Sequence, residues 1–373
     1  MITLDRITLR EIRLPLREPF QISSGVMTER RIALLELHDR SGATAWSECV
    51  ADDTPNYSPE TIDTCWTVIS RFVAPRVLGV PFEAPGDVHD VLERDFRGHG
   101  MAKAAVEMGM WGLESEILRM PLARLIGGTR TEIATGISLG IQKSPDALVE
   151  KAQAALAAGY RKVKIKIKPG FDVAFVRAAR AALGPDAPLM ADANNAYTLD
   201  EADALVALDD LDLMMIEQPL AWDDLVRHAE LQKRLRTPIC LDESITSLDR
   251  ARDMVTLGSG RIVNIKPGRV GGFTSSLAIH DFCESHGIPV WCGGMLESGI
   301  GRAYNVALAS LSNFLKPGDV SPSARYWERD VVIPEWTMSD QGMVRVPLDR
   351  PGIGVTVDIE RVEALTVRRQ ELR

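Results

Sequence analysis

The chain has 373 residues, 45% hydrophobic and 25% charged, which is ample for a large core and more than one structural unit. Its formal net charge of −9 lacks the basic balance of a nucleic-acid binder, and no apolar run approaches a bilayer span. The N-terminus alternates apolar and charged residues where a signal peptide would carry an unbroken apolar stretch, so a cytoplasmic protein with neither nucleic-acid nor membrane partners is expected.

In chain order, residues 2–16 alternate as a strand, and residues 31–49 read as a hairpin turning at Asp39-Arg40-Ser41-Gly42. Ser58 is predicted to cap a helix that has Pro59 in its first turn. A second helix is predicted over 100–119, with Ala105, Met108, Trp111 and Leu113 on a buried stripe. Gly127-Gly128 ends this α+β region. Cys49, Cys65, Cys240, Cys283 and Cys292 are odd in number and form no CxxC pair, which predicts free buried thiols in a reducing compartment.

From about residue 131, short β-branched runs alternate with helical segments. Strands are predicted at 133–138, 162–167, 189–191, 213–216, 239–241, 262–265 and 289–291. Helices between them include 145–158, 174–182, 199–208 and 223–235. This alternation implies βαβ units and a parallel sheet. The polar residues ending successive strands, Lys166, Asp192, Glu217, Asp242 and Lys266, follow one another at 26, 25, 25 and 24 residues. A constant length per βα unit is the mark of a (β/α) barrel, whose strand ends converge on one mouth. A doubly wound sheet shares the period, but its strand ends would not all meet.

Three carboxylates at one mouth repel one another unless a cation joins them. Oxygen-only ligation by Asp192, Glu217 and Asp242 favours a hard ion, Mg²⁺ first and Mn²⁺ second. Strand alternation puts Lys164, Lys166 and Lys168 on one face, turned into the barrel or its mouth. Lys266, four strands on from Lys166, faces it across the barrel. A free lysine, with a pKa of about 10.4, is a poor base. A cation, a neighbouring lysine such as Lys164 and desolvation are expected to bring it toward ~7–8. The chemistry these parts suit is removal of the proton α to a bound carboxylate through an enediolate. A lysine on the opposite face then returns the proton with inversion, or a β-hydroxyl leaves as water.

The motifs Lys164-x-Lys166, Asp192-Ala-Asn194, Glu217-Gln218-Pro219, Asp242-Glu243-Ser244 and Lys266 resemble the enolase superfamily, in its muconate-lactonising-enzyme subgroup. That superfamily's lysine-base and magnesium scheme is an established one. The stretches IKIKPGFDV, IEQPLAWDDLVRHAEL, NIKPGRVGG, PVWCGGMLESGIGRA and SARYWERD narrow the likeness to the N-acylamino acid racemase / o-succinylbenzoate synthase family. The resemblance implies an α/β fold, a (β/α)₇β TIM-like barrel, with an N-terminal α+β capping domain at 1–128, the barrel at 129–325 and a C-terminal segment at 326–373 packing back on the cap. It further implies a small-molecule carboxylate substrate and a homo-oligomer, dimer or octamer. The reactions implied are menaquinone-pathway dehydration of 2-succinyl-6-hydroxy-2,4-cyclohexadiene-1-carboxylate, racemisation of N-succinylamino acids, or both.

The same likeness carries metal ligation to Asp192, Glu217 and Asp242, and acid/base roles to Lys166 and Lys266, with Lys266 protonated and stabilising in the synthase reaction. Tyr57 and residues 20–26 correspond to the loops that close over substrate, and Ser138, Asn194, Gly293, Gly294, Met295 and Leu296 would line the pocket, with Tyr326 at its border. Glu243 and Asn194 are expected to support the ligands, and Arg269 either tunes Lys266 or is a surface residue. Among rivals, a dipeptide epimerase carries an Asp-x-Asp pair near the eighth strand, where this chain has Asp319-Val320-Ser321. A muconate cycloisomerase-like enzyme shares the whole machinery. A Schiff-base aldolase would not need three metal-type acids, and a metal-binding structural barrel would leave the lysines unperturbed.

Overall fold

A computed structural model of the protein describes residues 1–22 and 25–373. Three long antiparallel strands, β1 (Ile2–Ile22), β2 (Gly25–Asp39) and β3 (Thr44–Cys49), form the N-terminal sheet. The β2–β3 turn lies where Asp39 and Gly42 place it. The Asp39 carboxylate accepts the Ser41 N–H at 2.7 Å and the Thr3 N–H at 2.6 Å, fixing turn and strand start together. The C-terminal strand Thr366–Leu372 pairs antiparallel with β1, so the chain's end returns to its beginning.

Helix α1 (Ile62–Val68) starts later than Ser58 predicts. Thr61 is its cap, in a reciprocal box with Thr64, while Ser58 accepts only the Glu60 N–H. Helix α2 (Gly100–Ile117) crosses the sheet and is buried well beyond one stripe, Lys103 and Glu107 included. The cause is its position between sheet and barrel. A Cβ on Gly109 would come within 2.7 Å of Leu37, so glycine permits close approach to the sheet. On the other side the Glu107 carboxylate accepts the Phe273 and Thr274 N–H groups at 2.7 and 2.9 Å, at the start of a barrel helix.

The barrel strands are β4 (Ile137–Leu139), β5 (Val163–Lys166), β6 (Leu189–Asp192), β7 (Ile216–Glu217), β8 (Ile239–Leu241), β9 (Ile262–Ile265) and β10 (Val290–Cys292). They form a seven-stranded parallel sheet in sequence order. Residues 313–319 close it as an extended eighth segment: Phe314 bridges Val290, Gly318 bridges Thr135, and the Asp319 N–H reaches Cys292 O at 2.9 Å. Helices such as α3 (Pro145–Ala157), α4 (Val173–Leu183), α5 (Phe273–Ser285) and α6 (Gly299–Ala309) surround it. The first predicted barrel strand divides in two. Glu132–Ala134 pairs antiparallel with Met343–Arg345, and only Ile137–Leu139 joins the barrel. The predicted helix at 199–208 is a 3₁₀ turn followed by a short helix, Ala202–Val206.

Met190, Met215, Cys240, Ile262 and Trp291 pack together inside the barrel as an apolar floor. Strand pairing aligns Lys166 with Asp192, Asp192 with Glu217, and Glu217 with Cys240. Paired residues of a parallel sheet share a face, and side chains alternate along each strand. The acids and lysines therefore stand as a polar layer on that floor, while Ile165 and Ile167 join the helix-facing core. All five cysteines are buried and free.

Candidate active site

Asp192, Glu217 and Asp242 stand at or just past the ends of three adjacent strands and are at most 1% exposed. Each has basic or amide partners. Lys166 Nζ donates to Asp192 Oδ2 at 2.6 Å and to Asn194 Oδ1 at 2.5 Å. Lys164 Nζ lies 3.1 Å from Glu217 Oε2 and 3.3 Å from Asp192 Oδ2. Asn264 Nδ2 donates to Glu217 Oε1 at 2.7 Å. Lys266 Nζ donates to Asp242 Oδ2 at 2.8 Å, and Asp242 Oδ1 accepts from Tyr57 at 2.9 Å and from Arg269.

The electrostatics follow these contacts. Burial raises the Asp192 carboxyl, but Lys166 and Lys164 outweigh it and hold the group well below the carboxylate range. Burial likewise opposes Asp242, and Lys266 with Arg269 prevails, so it too is lowered. Glu217 sits between two other acids; burial first and Asp192 second push it up to about 8. Glu243, buried beside Asp242, rises to about 7. From the protein's own groups alone, with no cation counted, Lys266 and Lys164 are raised. Burial lowers both, but Asp242 at Lys266, and Asp319 with Glu217 and Asp192 at Lys164, raise them instead. Repulsion of Lys266 by Lys164 is present but small.

These residues fit a hard divalent cation. The donor set is carboxylate oxygen only, and an acid held near 8 by burial and by Asp192 is one that added positive charge would ionise. Among the described residues, the one trio with its ligand atoms all within 4.8 Å of one another is instead His280, Asp281 and Glu284 on α5. Its imidazole is already engaged, by Asp281 at 2.8 Å and by the Asn313 N–H at 3.0 Å. In the acid row, the Lys164 ammonium lies between Asp192 and Glu217.

Lys166, Lys266, Asn194, Tyr57, Gly294, Met295 and Leu296 line one cavity of about 420 Å³, which Phe20 and Val26 border from the N-terminal sheet. Of the predicted closing segment 20–26, residues 23 and 24 lie outside the described residues. Ser138 and Gly293 do not line the cavity. Ser138 is buried beside Lys164 in the sheet, and Gly293 backs Lys266, where a Cβ would come within 2.6 Å of Lys266 Cε. Tyr326 instead packs edge-on against Phe20, ring centres 6.5 Å apart. Lys168 leaves the lysine row: its backbone bridges Phe171, and its ammonium stands 5.1 Å over that ring.

Arg269 is no surface residue. It is buried and spans Asp242, the Tyr57 hydroxyl, Ile245 O and Asn264 O. The Tyr57 ring lies 4.2 Å from Lys266 Nζ, so one tyrosine both covers the lysine and bonds its acid partner. Glu243 accepts from Asn195 at 3.1 Å as a support. Two contributors are not among the predicted residues, and a third is expected in another role. Asn264 shares a face with Lys266, two residues on. Lys162 continues the alternation of Lys164 and Lys166 downward, a visible signal, and meets Asp319 at 3.0 Å. Asp319, expected only at the Asp-x-Asp position near the eighth strand, comes from the segment that closes the barrel and there meets Lys162 and Lys164.

Two family descriptions match the chain: "Mandelate racemase / muconate lactonizing enzyme, N-terminal domain" over residues 5–127 and "Enolase C-terminal domain-like" over residues 147–362. The chain is 48% identical to an o-succinylbenzoate synthase of Geobacillus kaustophilus over 98% of its own length and 96% of the relative's. It is 44% identical to an N-succinylamino acid racemase of Thermus thermophilus over 98% and 97%. A solved member of the enolase superfamily from Listeria innocua superposes with a TM-score of 0.96 at 37% identity, covering 100% of this chain and 99% of that one. No helix is long and apolar enough to cross a membrane among the described residues.

Proposed function

Because the chain belongs to the mandelate racemase / muconate lactonizing enzyme family of the enolase superfamily, we propose that it removes the proton α to a substrate carboxylate, as an o-succinylbenzoate synthase, an N-succinylamino acid racemase or both. The observation that carries this reading is that Lys166 and Lys266 line one cavity while each is bonded to a different end of a buried three-acid row. A divalent cation, Mg²⁺ or alternatively Mn²⁺, held by Asp192, Glu217 and Asp242 would supply positive charge beside the substrate carboxylate and lower the cost of removing the α-proton.

The chain's own residues do the rest. Lys166, deprotonated, takes the α-proton, and the charge moves into the carboxylate. In dehydration Lys166 then passes that proton to the departing β-hydroxyl; the C–H and C–O bonds break, a C=C bond forms and water leaves. Lys266, whose ammonium Asp242 favours, stays protonated and faces the developing charge. In racemisation Lys266 delivers its proton to the opposite face of the carbon, and the two lysines exchange roles for the other enantiomer. Tyr57 and Phe20 close the cavity and exclude water.

Relatives with both names at 44–48% identity support keeping both reactions. Ser321, whose hydroxyl bonds Gly136 O at 3.2 Å, offers no second acid for a dipeptide amine, which disfavours the epimerase reading. We also propose units at 1–128, 129–325 and 326–373, a homo-oligomer, and a cytoplasmic location, which the free buried thiols support. The test is direct. Purified protein with Mg²⁺ is expected to form o-succinylbenzoate from its cyclohexadiene precursor and to racemise N-succinyl-phenylalanine; neither product under any metal condition refutes the proposal.

A further inference from the structure

Beneath the acid row, four side chains form a buried stack that the proposed chemistry does not use. Asp319 Oδ2 lies 2.5 Å from Lys164 Nζ, and Asp319 Oδ1 lies 3.0 Å from Lys162 Nζ. The Lys162 contact is off the hydrogen-bond direction, and the same ammonium stands 3.6 Å over the Trp291 ring. Lys162 is 0% exposed and Asp319 5%. Burying a lysine this deep is costly unless it is paired, so the stack has a purpose to explain.

An ammonium has three N–H donors. Around Lys164 three acids compete for them: Asp319 at 2.5 Å, Glu217 at 3.1 Å and Asp192 at 3.3 Å. The shortest contact points down, away from the mouth. Asp319, which also meets Lys162 at 3.0 Å, therefore shares the ammonium with Glu217, to which Lys164 still donates at 3.1 Å, and with Asp192. Asp319 is itself rigidly placed. Its N–H bonds Cys292 O at 2.9 Å, its carbonyl accepts from Arg302 at 3.0 Å, and the backbone approaches Gly294 so closely that a Cβ there would come within 2.8 Å of Asp319 O.

Resting on the metal reading above, we propose that Asp319 is a positioning residue, anchored by Lys162, that shares the Lys164 ammonium with Asp192 and Glu217 and so weakens its competition with a divalent cation for their oxygens. Without it the ammonium is left to the two carboxylates alone and competes more strongly with the ion. The same engagement removes Asp319 as a partner for a substrate amine.

The experiment is Mg²⁺ titration calorimetry on the purified, metal-stripped full chain, with thermal unfolding of every variant alongside. Asp319→Asn is expected to weaken Mg²⁺ binding about tenfold or more, as loss of a ligand-orienting partner does, and saturating Mg²⁺ should restore much of kcat. Lys162→Met supplies a second route should Asp319→Asn not fold. Removing a positive charge would by itself tighten cation binding, whereas a loosened Asp319 weakens it; weaker binding, restored in Lys162→Arg, is the expected result. Mg²⁺ binding unchanged or tighter in the folded variants overturns the proposal. A wild-type chain that binds no Mg²⁺ overturns the metal reading itself, which separates the two failures.

Discussion

Gly293→Ala tests how closely the position of Lys266 is set. A Cβ at Gly293 would stand 2.6 Å from Lys266 Cε and 2.5 Å from Asn264 Oδ1. Carbon contacts settle at about 3.5–4.0 Å, so both side chains must give by roughly 1 Å. Neither moves freely. Lys266 is tied to Asp242 at 2.8 Å and covered by Tyr57, and Asn264 holds Glu217 at 2.7 Å. Gly293 is not among the residues of positive φ, so alanine adds no backbone strain and the effect isolates the side-chain clash. A misplacement of about 1 Å costs on the order of 10²-fold in rate. That corresponds to about 2.7 kcal/mol of barrier. The assay is racemisation of N-succinyl-phenylalanine followed by polarimetry from each enantiomer, with a melting curve beside it. We expect kcat to fall about 100-fold in both directions with KM changed little. A folded variant within about threefold of wild-type kcat would refute the claim that the glycine seats Lys266.

Lys166→Ala should abolish both dehydration and racemisation, while Lys266→Ala should stop inversion; racemisation that survives in Lys266→Ala would contradict the two-lysine scheme. Dialysis against EDTA should remove turnover, and Mg²⁺ or Mn²⁺ should restore it in a rate assay. Arg269→Met leaves Asp242 its bonds to Lys266 and Tyr57 but strands two buried carbonyls, so denaturant unfolding should show a loss of about 2–4 kcal/mol. His228 is buried and accepts the Leu220 N–H at 3.1 Å, which needs a neutral ring; burial holds its pKa down at about 4. Because the folded value lies below the ordinary 6.5, the unfolded chain binds the extra proton, and stability should be full above that pH and fall by about 3 kcal/mol as pH drops toward 4. His228→Gln should remove that slope from unfolding curves taken at several pH values.

The acid row and the two lysines are legible in the sequence for a physical reason. Each βα unit spends nearly the same number of residues, so the strand-end groups advance in step and the parallel register sets them side by side. Contacts made by closure are not legible. Asp319 reaches Lys162 and Lys164 only because residues 313–319 complete the barrel, and Tyr57 reaches Asp242 across 185 positions of chain. Competition between equivalent signals explains the local misses. Ser58 and Thr61 are both good caps, and the one reciprocated by Thr64 prevails. Lys168 shares the alternation of Lys164 and Lys166, but the chain turns at Lys168–Phe171 and takes it out of the row. Arg269 follows Lys266 on a short helix, and nothing in its neighbours announces that it folds beneath Asp242. The protein's own contribution to the lysine shifts is illegible for a related reason. Its direction depends on how many carboxylates the fold gathers around each ammonium, and Asp319 meets Lys164 only through barrel closure.

In the proposed mechanism Lys166 and Lys266 move a proton at one carbon from opposite faces. Its most direct measurement is α-proton exchange, followed by NMR, for each enantiomer of N-succinyl-phenylalanine incubated with enzyme and Mg²⁺ in D₂O. Wild type should exchange both enantiomers; Lys166→Ala should lose exchange of one and Lys266→Ala of the other, each keeping its complement. Exchange of both enantiomers in either variant, or of neither in wild type, would contradict the account.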